Sequence, residues 1–150
     1  RALPNSRHRR REERCLEEPA DSGAAVGAIH AGSLALQRAV VAKSQGEHRT
    51  AARALTLSLR HRTSDERRSR ALGLAELAET QLASGHLEQA CHTWHDFLDI
   101  LPDIRSARAD GRLRTLTAAL RPNATNPAAA ALLARARETR LQGRHRGSSE

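Results

Sequence analysis

Apolar residues recur at helical spacing along most of this chain, and glycine or proline interrupts them at regular points. The clearest unit runs from Leu72 to Pro102 and reads LGLAELAETQLASGHLEQACHTWHDFLDILP. One periodic segment ends at Gly85, a second follows at once, and Pro102 closes it. Ala71, Leu74, Ala75, Ala78 and Leu82 form the inward stripe of the first helix. Leu87, Ala90, Cys91, Trp94, Phe97, Leu98 and Leu101 form that of the second. Small residues stand where the two helices must touch, so the segment predicts a helical hairpin.

The same reading extends in both directions. Asp21-Ser22-Gly23 offers a cap, after which Val26, Ile29, Leu36 and Val40 follow helical spacing, with Ser33 filling the stripe. Gly46 ends that helix as a left-handed residue would, and a second helix carries Ala52, Leu55 and Leu59. Thr63 and Glu66 have capping-box spacing before the third helix. A fifth helix follows Asp103, with Ala109, Leu113, Leu116 and Leu120 on one face, and Pro122 stops it. Asn126-Pro127, a cap followed by proline at the first helical position, opens a sixth with Leu132, Leu133 and Ala136 inward. Gly46 and Gly85 occupy equivalent places, and Ala51 and Ala90 each follow five residues later, so the chain carries an internal repeat of period near 39. Residues 1–20 mix Arg7 to Arg14 with Glu12 to Glu18 and show no apolar stripe, which predicts a flexible arm. The polar stretch 142–150 predicts a disordered tail, leaving 21–141 as one domain.

Composition agrees with an all-α fold. The chain has one Trp, one Phe, no Tyr and no Met, so its core rests on Leu and Ala, both strong helix formers. The formal net charge is +8, and Lys43 is the only lysine. Its distribution matters more than its size. Residues 71–102 contain Glu76, Glu79, Glu88, Asp96 and Asp99 and no Lys or Arg, so they carry −5 and the remainder +13. The central hairpin is an acidic slab between basic neighbours. Mutual electrostatic support between adjacent hairpins is the simplest cause, and a binding groove using the same asymmetry is the alternative.

These residues resemble the tetratricopeptide repeat. Its Leu-small pair, turn glycine, second-helix Ala, following large aromatic and closing proline are matched by Leu77-Ala78, Gly85, Ala90, Trp94 and Pro102. Ala39, Gly46, Ala51 and Leu55 repeat part of the pattern in the first hairpin. Leu74 and Gln81 depart from it, standing where the family often has Trp and Tyr. The run DIRSARADGRLRTLTAALRP, with the Asn126-Pro127 helix after it, resembles the C-terminal end of actinobacterial regulators that join a helix-turn-helix to a tetratricopeptide-like sensor. The resemblance implies antiparallel hairpins stacked as a right-handed α-solenoid of about six helices. It also implies a regulatory domain that binds a protein or peptide, with homo-oligomers allowed; the two widely separated cysteines make a reducing, cytoplasmic setting the default. The concave surface it implies would be formed by Gln37, Lys43, Glu76, Glu79, Arg108 and Arg112.

Other chemistries find less support in the residues. The helix after Gly85 carries Glu88, Asp96 and Asp99 and no cation, which makes it a poor reader of a phosphate-lined groove. Nucleic acid is therefore expected only weakly, through Arg7–Arg14 or Arg135–Arg146, or through a separate domain; the start at Arg1 without Met reads as a fragment. Cys91 and His95 in CHTWH lie one turn apart and could share a metal, but no paired motif supplies the remaining ligands, so neither metal nor cofactor is expected. Cys15 and Cys91 make no disulfide framework. No nucleophile elbow or Gly-rich phosphate loop is present, so no enzyme is expected. No apolar run approaches the length of a membrane span. A stand-alone scaffold is the alternative to a regulator's sensor.

Overall fold

The computed structural model describes residues 20–63 and 65–148, with side chains from Ala31 onward. The arm, Cys15 and the side chains of Val26 and Ile29 lie outside the described residues. Among the described residues six α-helices are present: α1 (Ala20–Ser44), α2 (His48–Arg60), α3 (Arg67–Ala83), α4 (Leu87–Ile100), α5 (Ala107–Leu120) and α6 (Pro127–Gly147). No strand occurs among the described residues. Short 3₁₀ turns at Leu101–Asp103 and Arg121–Asn123 follow α4 and α5, and each contains a proline. The fold is therefore all-α. α1 packs on α2 and α3 on α4; α2 then packs on α3, α3 on α5, and α4 on α6.

The two glycine turns form as their spacing predicts. Gly46 and Gly85 have φ of 74° and 82°, the left-handed region in which an L side chain is strained. In each, the residue after the glycine donates its N–H back into the preceding helix, Glu47 to the Ala42 carbonyl and His86 to Gln81, both close to 3.0 Å. A Cβ at either glycine would meet nothing within 4 Å, so its cost is purely conformational. Gly85→Ala is expected to lower stability by about 1 kcal/mol, and Gly46→Ala by a similar amount, in urea titrations followed by circular dichroism.

The core lies between the helices of the central hairpin and its neighbours. Trp94, Phe97, Leu98, Leu116, Leu120 and Leu132 are fully buried, and Ala71, Ala75, Ala78, Ala90, Ala109 and Ala129 bring their helices together around them. Trp94 and Phe97 meet edge to face, with ring centroids 5.4 Å apart at 78°. The Asn126 cap forms as expected: its side-chain oxygen accepts from the N–H groups of Ala128 and Ala129.

Three expectations are corrected. The buried edge of α1 is Ala35, Ala39 and Ala42, while Ser33 is exposed, Leu36 is only half-buried and Val40 is 61% exposed. Small residues win because α1 and α2 approach closely, near enough for Ser58 Oγ to donate to the Gly32 carbonyl at 2.9 Å. The Thr63–Glu66 capping box does not form. Glu66 sits at the cap position itself, makes no side-chain cap bond, and accepts instead from Arg62 at 3.3 Å. The tail expected from Gln142 is helical to Gly147, because α6 continues past its last buried residue, Ala136. Arg144, His145 and Arg146 occupy its last turn, where positive charge complements the helix dipole.

Candidate functional site

The first helices of the three hairpins, α1, α3 and α5, supply the residues expected on one surface, and four of those six residues meet. Lys43 on α1 pairs with Glu76 Oε1 on α3. Arg112 on α5 reaches Glu76 Oε2 at 2.8 Å through one guanidinium nitrogen. Through another it reaches Glu79 Oε2 at 2.7 Å and Oε1 at 2.9 Å. Glu76 and Glu79 stand three residues apart, so they share one face of α3 and offer carboxylates that the planar fork of Arg112 can span. The result is a relay, Lys43–Glu76–Arg112–Glu79, that ties α1, α3 and α5 together.

The relay is partly sheltered: the Glu76 and Glu79 side chains are 22% and 16% exposed. Burial alone would raise the Glu76 pKa. The hydrogen bond and charge of Lys43, and then those of Arg112, outweigh it and hold the carboxyl below its ordinary value. Burial likewise works against the charge on Arg112, and the Glu79 and Glu76 carboxylates reverse the balance and raise its pKa.

Beside the relay runs a groove of 310 Å³. Leu36, Ala39, Val40, Leu55 and Leu72 give it an apolar lining, and Lys43, Arg62, Arg108 and Arg112 line it together with Glu76. Lys43, Glu76 and Arg112 thus serve both relay and groove. Arg108 lines the groove and has no ion-pair or hydrogen-bond partner among the described residues. Glu79 lies in the relay, outside the groove lining, and Gln37 is exposed and belongs to neither. Leu36 and Val40 read as core in the sequence because a helical stripe of large apolar residues does so, and Leu72 lies off the α3 stripe with no signal of its own. Only the burial of the alanines beside Leu36 and Val40 frees those two to line a groove.

The same logic of charge appears on α4. Arg135 of α6 donates to Asp99 Oδ1, to the His95 carbonyl at 3.2 Å, and to His95 Nδ1 at 3.0 Å. A guanidinium cannot accept, so His95 Nδ1 is the acceptor and the ring is neutral with its proton on Nε2. Burial, then the charge of Arg135, lowers the His95 pKa. Its turn-mate Cys91 is buried, and desolvation followed by the Glu88 charge pushes the thiol up. Glu76, Glu79 and Asp99 of the acidic hairpin therefore all pair outward, with basic side chains on α1, α5 and α6.

A second, larger concavity of 970 Å³ lies along α2 beside the turn between α3 and α4. None of the six expected surface residues lines it. No helix among the described residues is long and apolar enough to cross a membrane.

Comparison with known proteins finds no matching family model, no matching curated protein and no matching solved structure.

Proposed function

We propose that this chain is a tetratricopeptide-like, right-handed stack of helical hairpins that binds a protein or peptide segment without acting as an enzyme. One observation carries the reading: a groove to which all three first helices contribute, apolar along part of its lining, with Arg108 left unpaired. Such a groove suits a segment that presents an aliphatic side chain beside a carboxylate. The aliphatic group would cover Leu36, Val40 and Leu72, and the carboxylate would take the fork of Arg108. The packing of α3 on α5 and of α4 on α6 supports the stack. The sequence resemblance supports a role as the sensor part of a bacterial transcriptional regulator, with the relay transmitting occupancy between hairpins.

The test uses fluorescein-labelled peptides that pair one Leu with one Glu, followed by fluorescence anisotropy. Arg108→Glu is expected to weaken binding by about tenfold or more, the value of one charge-assisted hydrogen bond lost and a repulsion gained. Its thermal midpoint should stay unchanged, since Arg108 is exposed. Equal binding by both forms would refute a role for Arg108, and no binding by either would refute the groove.

A further inference from the structure

The larger cleft on α2 has a chemistry of its own. Arg49, Arg53 and Arg60 line it from one helix, with Ala52 and Leu57 among them, and Glu47 is the only carboxylate in its lining. None of these three arginines has a hydrogen-bond or ion-pair partner among the described residues. Elsewhere Arg62, Arg67, Arg112 and Arg135 all hold carboxylates, and Arg68 and Arg70 hold carbonyls. Arg49 is also misplaced for stability. It stands in the first turn of α2, which contains no acidic residue, so it faces the positive end of the helix dipole with Glu47 at the cap position as the nearest carboxylate in sequence.

Two polar groups in the lining are open to a ligand as well, one a buried atom without a partner and the other an amide with one end free. His48 Nδ1 is buried without a partner. Gln81 is only 7% exposed, and the Thr93 hydroxyl, 2.7 Å away, pins one end of its amide. The other end has no partner among the described residues. A nine-tenths-buried amide held at one end and open at the other is a preorganised hydrogen-bonding group for a ligand backbone.

We propose that this cleft binds an extended acidic peptide segment, with carboxylates on Arg49, Arg53 and Arg60 and a backbone group on Gln81. The eleven steps from Arg49 to Arg60 rise about 16 Å along α2, the length of about five residues of extended chain. Leu57, 42% exposed, offers an aliphatic side chain of that segment a surface to cover. A single-stranded nucleic acid would meet the same charges but no stacking platform: no aromatic ring other than histidine lines the cleft, and Trp94 and Phe97 are wholly buried. The site shares no residue with the groove of the first helices, so it stands whether or not that groove binds a ligand.

The experiment titrates the whole chain into a fluorescein-labelled heptapeptide alternating Glu and Leu, and in parallel into single-stranded and duplex oligonucleotides of matched charge. Arg53→Glu is expected to weaken peptide binding by about tenfold or more. Arg49→Glu should act similarly, both losses should persist in a chain that also carries Arg108→Glu, where the groove of the first helices no longer takes the same peptide, and the oligonucleotides should bind more weakly than the peptide. Arg53→Gln, which removes the charge without reversing it, serves if circular dichroism shows that Arg53→Glu does not fold. No peptide binding, binding insensitive to Arg49 and Arg53, loss confined to Arg108→Glu, or tighter binding of either oligonucleotide overturns the proposal.

Discussion

Trp94→Ala is expected to destabilise the domain by about 3–5 kcal/mol, a large share of the total stability of a single domain. Trp94 is wholly buried, stacks edge to face on Phe97, and belongs to the continuous core that joins the central hairpin to α5 and α6. That core includes many alanines, whose short side chains cannot swing into the space left behind. The loss therefore includes most of the cavity cost as well as the transfer cost. Trp94→Phe should be much milder, at about 1–2 kcal/mol, because Trp94 Nε1 is buried without a partner and its removal relieves an unsatisfied donor. Urea unfolding followed by far-ultraviolet circular dichroism checks both. If Trp94→Ala unfolds no earlier than a change at half-exposed Leu141, Trp94 is not the hub of the core.

The second large effect is electrostatic. Arg112→Ala leaves Glu76 and Glu79 side by side on α3 with only Lys43 to compensate them. Exposed pairs contribute little, but these carboxylates are largely covered, so a loss of about 1–3 kcal/mol is expected. The relay also sets the acid limb of stability. The Glu76 pKa is depressed in the folded state, so the folded state holds the proton less tightly than the unfolded chain. Its contribution is fully present above the ordinary carboxylate pKa and is lost as pH falls through the depressed folded value. Removing Arg112 takes away part of that depression, so the stability lost between neutral pH and that window should be smaller in Arg112→Ala than in the parent. Thermal midpoints across pH 3 to 7 measure the difference. A parent and variant that lose equal stability on acidification would show that the relay contributes nothing to it.

Much of this fold is legible in the residues because the signals are local. Gly46, Gly85, Pro102 and the Asn126-Pro127 pair act within a few residues of backbone, and each ends or starts a helix where expected. The α3 and α4 stripes are legible for a related reason: Trp94, Phe97 and the leucines around them admit only one buried face. The α1 stripe misleads because two faces compete, one of large residues and one of alanines. Their ranking depends on how closely α2 approaches, which no local pattern encodes. The Thr63–Glu66 spacing misleads likewise, since Arg62 competes for the Glu66 carboxylate and the helix starts at Arg67, beyond it.

The candidate surface divides in the same way. Charge counting identified an acidic hairpin between basic neighbours, and the spacing of Glu76 and Glu79 placed both carboxylates on one helix face. It could not say which cations would be consumed by them. Arg112 and Arg108 stand four residues apart on α5, yet one is locked into the relay and the other lines the groove unpaired. The arginines of α2 carried no sequence signal at all; only the cleft beside the α3–α4 turn sets them apart from other surface arginines.

The sequence by itself determined the all-α class, the helix-breaking turns and the sign of charge on each hairpin, because these depend on backbone preference and composition within short windows. The tertiary structure alone decided which face of α1 is buried, which arginines are paired and where concave surface forms. Those outcomes depend on distances between helices whose contacting residues lie 26 to 36 positions apart in the chain, where small differences in packing decide whether a side chain becomes core, bridge or open surface.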